Sequence, residues 1–347
     1  MEAVRILVAI VGGCAVVWAL LEAIRAFVIP RGVQVRSRVV FYWVFRLLRW
    51  VARARGAVER EAIDGIMVYG APIAVLGLPL LWLITSLLGF AGIFWAIDEN
   101  GFGDALVVSG SSLFTLGFDK PAGVGGAIVA FACATVGLAL LALVISYLPT
   151  LNSGFARRES VVAMLDTRAG SPPNAITLIE RHHVFAGIET LDALWPEWER
   201  WIVDVGETHY THPMLVFFRS SEPDHSWVTA TATLLEAANF RLSAIDASGP
   251  GNAAAWMFYR AGLGAVQRLR AFFTYRISDR DIEPVDRAAF ERVLVHFEEV
   301  GVSLVDDHEL AWERFCRRRA EYEPVLDALA RLVDAPAGLW PAASPEV

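Results

Sequence analysis

The sequence predicts an all-α membrane protein with three transmembrane helices, a re-entrant helix between the second and third, and an all-α cytoplasmic domain. Of its 347 residues, 55% are hydrophobic and only 20% are charged, whereas soluble domains carry about 25% charged residues. The apolar excess lies in three blocks before residue 150. Residues 151–347 show amphipathic windows and few alternating strand patterns, which favours helices there.

The first apolar block, Val4 to Ile29, predicts an N-terminal transmembrane helix within residues 1–30. It is longer than the apolar core of a signal peptide, and no obvious cleavage site follows it. Glu22 and Arg25 lie three residues apart near its end, a spacing that lets them pair on one helical face or reach the interface.

Residues 31–64 form an arginine-rich segment with eight arginines and three acids. Arg46, Arg49 and Arg53 fall on one helical face, with aromatic residues largely opposite. Two interpretations stand side by side: an interfacial helix on the cytoplasmic membrane surface, or a solvated helix packed on its own protein.

The second and third blocks, Ile66–Ile97 and Val124–Leu148, predict two further spans within residues 65–150. Pro149 ends the predicted inner helix, 124–149. Arginine-rich flanks predict that residues 31–64 and the segment after residue 150 face the cytoplasm. We expect a multi-pass protein of a bacterial-type inner (plasma) membrane. The connection between the two spans then lies outside.

That outer connection reads GFGDALVVSGSSLFTLGFDKP from Gly101 to Pro121. We expect a short helix, 103–114, capped by Asp104, and then an extended return over residues 115–119. Irregular backbone at membrane depth is tolerated only where it lines water or is buried in protein. The pattern is therefore typical of a re-entrant pore loop.

The stretch from Ala105 to Asp119 resembles the pore helix and selectivity filter of the two-transmembrane bacterial potassium channels. That family carries T-V-G-Y-G at its filter; Thr115 and Gly117 match it, while Leu116 and Phe118 replace its valine and tyrosine. The resemblance covers roughly residues 66–150, under a third of the chain. It implies a homotetramer in the lipid membrane that passes a monovalent cation, foremost K⁺. The implied filter is Thr115, Leu116, Gly117, Phe118 and Asp119, supported by Ser109, Ser111, Ser112 and Phe114.

In such a filter, backbone carbonyls from four subunits replace the hydration shell of the cation. Gly117 permits the unusual backbone angles that this requires. Asp119 stands where the family has its second glycine, and aspartate enters left-handed conformations more readily than most residues. Four such carboxylates would also attract cations to the outer mouth, so selectivity between K⁺ and Na⁺ stays an open question.

Gly137 lies in the middle of the predicted inner helix. The resemblance implies a gating hinge there. The alternative is that a glycine allows two helices to pack closely in the membrane.

Residues 151–335 predict an all-α cytoplasmic domain, and residues 336–347 a disordered tail. Residues 151–347 carry 19 arginines against 29 acids, which argues against nucleic-acid binding. Glu207, His209 and His212 are weak candidates for metal ligands, because Pro213 discourages helical geometry at His212. No nucleophile and base stand together in the sequence, so we expect neither an enzyme nor a bound cofactor.

These observations favour a tetrameric cation channel that is gated or assembled by its cytoplasmic domain. One alternative is a channel-like sensor or scaffold that no longer conducts; a membrane-anchored enzyme is less well supported. The sequence does not identify the ligand or partner of the cytoplasmic domain.

Overall fold

The structure, a computed structural model, describes residues 2–27, 38–54, 65–97, 101–220, 222, 224–246, 250–270 and 286–335. The predicted tail, 336–347, and parts of the arginine-rich segment lie outside these ranges. The first unit of the chain contains α1 (Glu2–Phe27), α2 (Arg38–Ala54), α3 (Gly70–Ile97), α4 (Phe102–Leu113) and α5 (Gly123–Ala169) as far as Asn152.

The second unit contains the rest of α5 and the later helices. These are α6 (Ala175–Ala186), α7 (Ile188–Asp192), α8 (Trp195–Thr211), a 3-10 turn (Pro213–Phe217), α9 (Trp227–Ser243), α10 (Pro250–Arg270), α11 (Arg287–Glu299) and α12 (His308–Val333). The described residues form no strand beyond a single bridge between Ile245 and Leu304, which confirms the all-α prediction.

Within the described ranges, three helices are long and apolar enough to cross a membrane: Glu2–Phe27, Gly65–Ile97 and Gly123–Ala169. They coincide with the three predicted blocks. The expectation that the inner helix ends at Pro149 is wrong, because α5 continues to Ala169 with Pro149 inside it. Proline lacks only one helical hydrogen-bond donor, and a long helix tolerates this loss where other contacts hold it.

α1 packs antiparallel against α3 through small residues. Gly12 and Gly89 meet so closely that a methyl group on either would collide with the other's backbone. Gly92 faces the backbone of Val8 one turn further along. Such backbone proximity is typical of helices that associate in lipid. The expected pair also forms, with Arg25 Nη1 donating to Glu22 Oε1 at 3.1 Å.

α2 has two apolar faces. On one face, Phe45 contacts Gly70 at the start of α3, and Ala52 is buried. On the opposite face Trp43, Leu47 and Trp50 are exposed. The helix therefore packs on its own protein, as one interpretation held, and still leaves an aromatic face of the kind that suits a membrane surface.

The second unit has a helical core around α9, of which nearly every residue is buried. Trp195 and Trp198 are fully buried and Trp201 nearly so, as their helical spacing indicates. The amphipathic window 157–168 lies in the last part of α5, and the later windows correspond to α7 to α12. α6, which begins at Ala175 with Asn174 accepting from two backbone N–H groups, is an element that the sequence analysis did not identify.

Candidate functional site

α4 begins one residue earlier than expected, and its cap differs from the predicted one. Gly101 is the N-cap and makes no side-chain cap bond, while Asp104 lies in the first turn. The predicted capping by Asp104 is therefore wrong. A carboxylate in the first turn still interacts favourably with the positive end of the helix dipole.

Hydrogen bonds from a buried serine hold α4 between α3 and α5. Ser109 Oγ, which is fully buried, donates to the carbonyl of Leu87 in α3 at 2.8 Å. Its own carbonyl accepts from Cys133 Sγ of α5 at 3.6 Å. Because buried polar groups in a membrane protein need internal partners, these bonds help to fix the position of α4 relative to α3 and α5.

Gly137 of α5 lies against the C-terminal end of α4. A methyl group added at Gly137 would overlap with the carbonyl oxygen of Leu113. The helix is continuous through this position. Gly137 thus makes a close packing contact with α4, which is the alternative to the hinge that the resemblance implies.

The backbone after α4 alternates in handedness. Thr115 has φ +56° and Gly117 has φ +72°. Glycine adopts such an angle at little cost, whereas for a β-branched residue it is a true outlier. Strained backbone of this kind persists only where surrounding contacts enforce it, and it concentrates at functional sites.

Those enforcing contacts converge on Ser111. The backbone N–H groups of Leu116 and Gly117 donate to the Ser111 carbonyl, at 2.8 and 3.3 Å. The N–H of Asp119 donates to Ser111 Oγ at 3.1 Å. Three peptide N–H groups of one segment thus point at one buried residue. Backbone that alternates between left-handed and right-handed conformations turns successive N–H groups to the same side in this way.

The carbonyls of the same three peptides must point the other way, because a trans peptide holds its N–H and carbonyl on opposite sides. They belong to Thr115, Leu116 and Phe118. The residues from Thr115 to Phe118 are exposed in the single chain. The result is a row of carbonyl oxygens on the face of the segment that is turned away from α4.

Asp119 ends this row. Its carbonyl accepts from Ser111 Oγ at 3.2 Å, so it turns back towards α4. Its carboxylate oxygen Oδ1 accepts from the N–H of Lys120 at 2.9 Å. Asp119 does not adopt the left-handed conformation that its place in the sequence suggested.

The four predicted support residues differ in what they do. Ser109 and Ser111 are buried and make the anchoring bonds described above. Ser112 contributes its carbonyl, which accepts from the N–H of Thr115 at 3.0 Å. Phe114 is half exposed. Its backbone N–H donates to the Gly110 carbonyl and forms the last hydrogen bond of the helix. The sequence analysis did not predict the two hydrogen bonds between Ser111 Oγ and the backbone of Asp119. Small hydroxyl residues next to an extended return segment are a usable signal for such bonds.

In the second unit, the weak metal candidates occupy three different environments. Glu207 pairs with Arg268 at the surface, His209 is fully buried, and His212 caps the end of α8. Across the described ranges, no group of three or more histidine, cysteine or acidic side chains could hold a metal ion.

His209 instead contacts a buried arginine of α5. Arg158 is 1% exposed, and its Nη1 lies 3.2 Å from His209 Nε2. The same nitrogen donates to the Leu215 carbonyl at 3.0 Å, and Nη2 donates to the Phe218 carbonyl at 2.8 Å. Burial and the nearby guanidinium lower the pKa of His209 well below its usual value. The imidazole is therefore neutral, and the arginine joins α5 to the 3-10 turn.

A second buried ionic group links α9 and α12. Arg319 lies between Glu236, at 3.4 Å, and Glu323, at 2.6 Å. Burial raises the pKa of Glu236 to about 7, although Arg319 acts in the opposite direction. A carboxyl group that titrates near neutral pH in a helical core makes the packing of these two helices sensitive to pH.

Comparisons with protein-family models, with curated proteins and with solved structures find no match to this chain. The interpretation of both units therefore depends on their own geometry.

Proposed function

We propose that the chain is one subunit of a tetrameric cation channel, most suited to K⁺, with residues 115–119 as its selectivity filter. The observation that carries the proposal is the row of carbonyl oxygens at Thr115, Leu116 and Phe118. Ser111 holds the N–H side of this row, so the oxygens are free to coordinate a cation.

Carbonyl dipoles are suitable ligands for a cation that has to shed water and later regain it. Each is neutral, so a ring of them replaces hydration without binding too tightly for release. One chain supplies only one side of such a ring. A four-fold assembly around a common axis would complete it, which is why the proposal requires an oligomer.

The turned carbonyl of Asp119 shortens the row at its outer end, and its carboxylate adds a charge there instead. Such a ring of acids concentrates cations of either valence by their charge. We therefore expect weaker discrimination between K⁺ and Na⁺ than a filter made only of carbonyls would give.

The test is ion flux into liposomes that contain the purified full chain. Gly117→Ala places a side chain at φ +72°, which costs roughly 1–2 kcal/mol in each subunit. Gly103→Ala is the matched control, because Gly103 lies in helical backbone with open space around its Cα. We expect K⁺ flux in the wild type and the control, and its loss in Gly117→Ala.

Equal flux in Gly117→Ala and the wild type would contradict the assignment of the filter. An intact tetramer without flux for either K⁺ or Na⁺, over a range of pH, would favour the second candidate, a sensor that does not conduct. The early end of the carbonyl row at Asp119 is the observation that favours that candidate.

A further inference from the structure

The edge between α10 and α12 in the second unit carries an exposed tryptophan surrounded by arginines. Trp256 is 43% exposed, and the neighbouring Met257 is 56% exposed. The guanidinium carbon atoms of Arg260 and Arg318 each lie 5.9 Å from the centre of the Trp256 ring. Both cations are therefore within the range of a cation–π interaction with one ring.

Two further arginines lie close to this pair. Burial lowers the pKa of Arg318, and the exposed Arg314 and Arg317 on α12 lower it further. Tyr259 and Glu321 act on this pKa in the opposite direction. Two arginines and one carboxylate thus act on Arg318, which leaves an excess of positive charge that a bound anion would relieve.

This excess runs against the charge of its surroundings. Residues 151–347 carry ten more acids than arginines, and most described arginines elsewhere in the unit pair with a carboxylate, as Arg287 does with Glu291 and Glu309. Arg318 also donates to Ser243 Oγ, so one guanidinium is held in place. A fixed guanidinium beside exposed ones is well suited to the bidentate recognition of phosphate oxygens.

We infer that Trp256, Arg260, Arg314, Arg317 and Arg318 form a binding site for a phosphate-bearing anion. Guanidinium groups recognise the phosphate, and Trp256 supplies a flat apolar surface next to it. The ligand is either a soluble phosphate ester or the headgroup of an anionic lipid, since both present the same group. The site belongs to the second unit alone and does not depend on ion conduction.

The experiment uses the full chain in nanodiscs of neutral phosphatidylcholine and titrates inorganic pyrophosphate by calorimetry at low ionic strength. The test variant combines Arg260→Gln with Arg317→Gln, both exposed residues. The control combines Arg287→Gln with Arg292→Gln on α11, which removes the same charge elsewhere. Loss of two charge-assisted bonds should weaken binding by more than about tenfold in the test variant only.

A second arm repeats the titration in nanodiscs that contain phosphatidylglycerol. Weaker pyrophosphate binding there, with the weakening abolished in the test variant, identifies lipid headgroups as competitors for the same site. Unchanged binding identifies a soluble ligand. No pyrophosphate binding in neutral discs would overturn the inference. An equal loss of affinity in the test and control variants would also overturn it, because binding would then depend on the net charge of the protein and not on this site.

Discussion

Replacing Ser111 with alanine should loosen the carbonyl row at its Asp119 end while leaving the helices in place. Ser111 Oγ accepts from the N–H of Asp119 at 3.1 Å and donates to its carbonyl at 3.2 Å. Alanine removes both bonds. The Ser111 carbonyl remains, so Leu116 and Gly117 keep their own bonds to it.

The magnitude follows from the number of bonds. A neutral hydrogen bond contributes about 1 kcal/mol net, so the variant loses about 2 kcal/mol at Asp119 in each subunit. That energy corresponds to a change of roughly 30-fold in the population of the ordered conformation. In a tetramer the effect applies to every subunit.

The assay compares K⁺-driven and Na⁺-driven flux in liposomes. We expect the ratio of K⁺ to Na⁺ flux to fall several-fold in Ser111→Ala, with oligomeric state and thermal midpoint close to the wild type. Ser112→Ala is the control, since it makes the same chemical change one residue later and the Ser112 carbonyl still accepts from Thr115. An unchanged flux ratio in Ser111→Ala would refute the role given to this contact.

Three further predictions concern packing and ionisation. Gly137→Ala should lower the thermal midpoint by the equivalent of about 1–3 kcal/mol, because its methyl group overlaps with the Leu113 carbonyl; an unchanged midpoint with altered gating would support a hinge instead. Glu236→Gln should flatten the pH dependence of stability. The wild-type acid has its pKa raised from 4.5 to about 7, so its protonated form stabilises the fold below pH 4.5, and this contribution, on the order of 3 kcal/mol, is lost as the pH rises to 7. The measurement is the unfolding midpoint of the wild type and of Glu236→Gln at pH 5 and at pH 8. If the midpoint changes equally between the two pH values in both proteins, Glu236 is not the group that makes stability depend on pH. Arg158→Met should lower the free energy of unfolding of the second unit by about 2–4 kcal/mol, because bonds to buried carbonyls are lost. Arg157→Met, at an exposed ion pair, should change that free energy by less than about 1 kcal/mol. Similar losses for the two variants in denaturant unfolding would show that Arg158 has no special role.

The spans and the helical class could be predicted because each rests on composition over many residues. Twenty apolar residues in a row leave few alternatives. The end of α5 could not be predicted from Pro149, since a proline weakens a helix by one bond and tertiary contacts decide whether it ends there. α6 escaped detection because its apolar pattern is short.

The irregular segment after α4 could be located from Thr115 and Gly117, but its geometry could not. Which residue adopts a positive φ depends on the bonds to Ser111, and these join positions up to eight residues apart. The arginines of α12 show the same limit. The run Arg317–Arg319 favours either a solvated face or salt bridges to Glu321 and Glu323, and the sequence does not say which arginine does which. Arg317 is exposed, whereas Arg319 is buried and pairs with Glu323, because helical rotation separates neighbours by about 100°.

The close contact between Gly12 and Gly89 has a consequence for how the chain is made. α1 leaves the ribosome well before α3 is synthesised, so Gly12 and Gly89 lie on separate helices until α3 follows. α1 is apolar enough to enter the membrane alone in that interval. The contact between the two glycines therefore forms only after both helices have been inserted, as a second step of assembly.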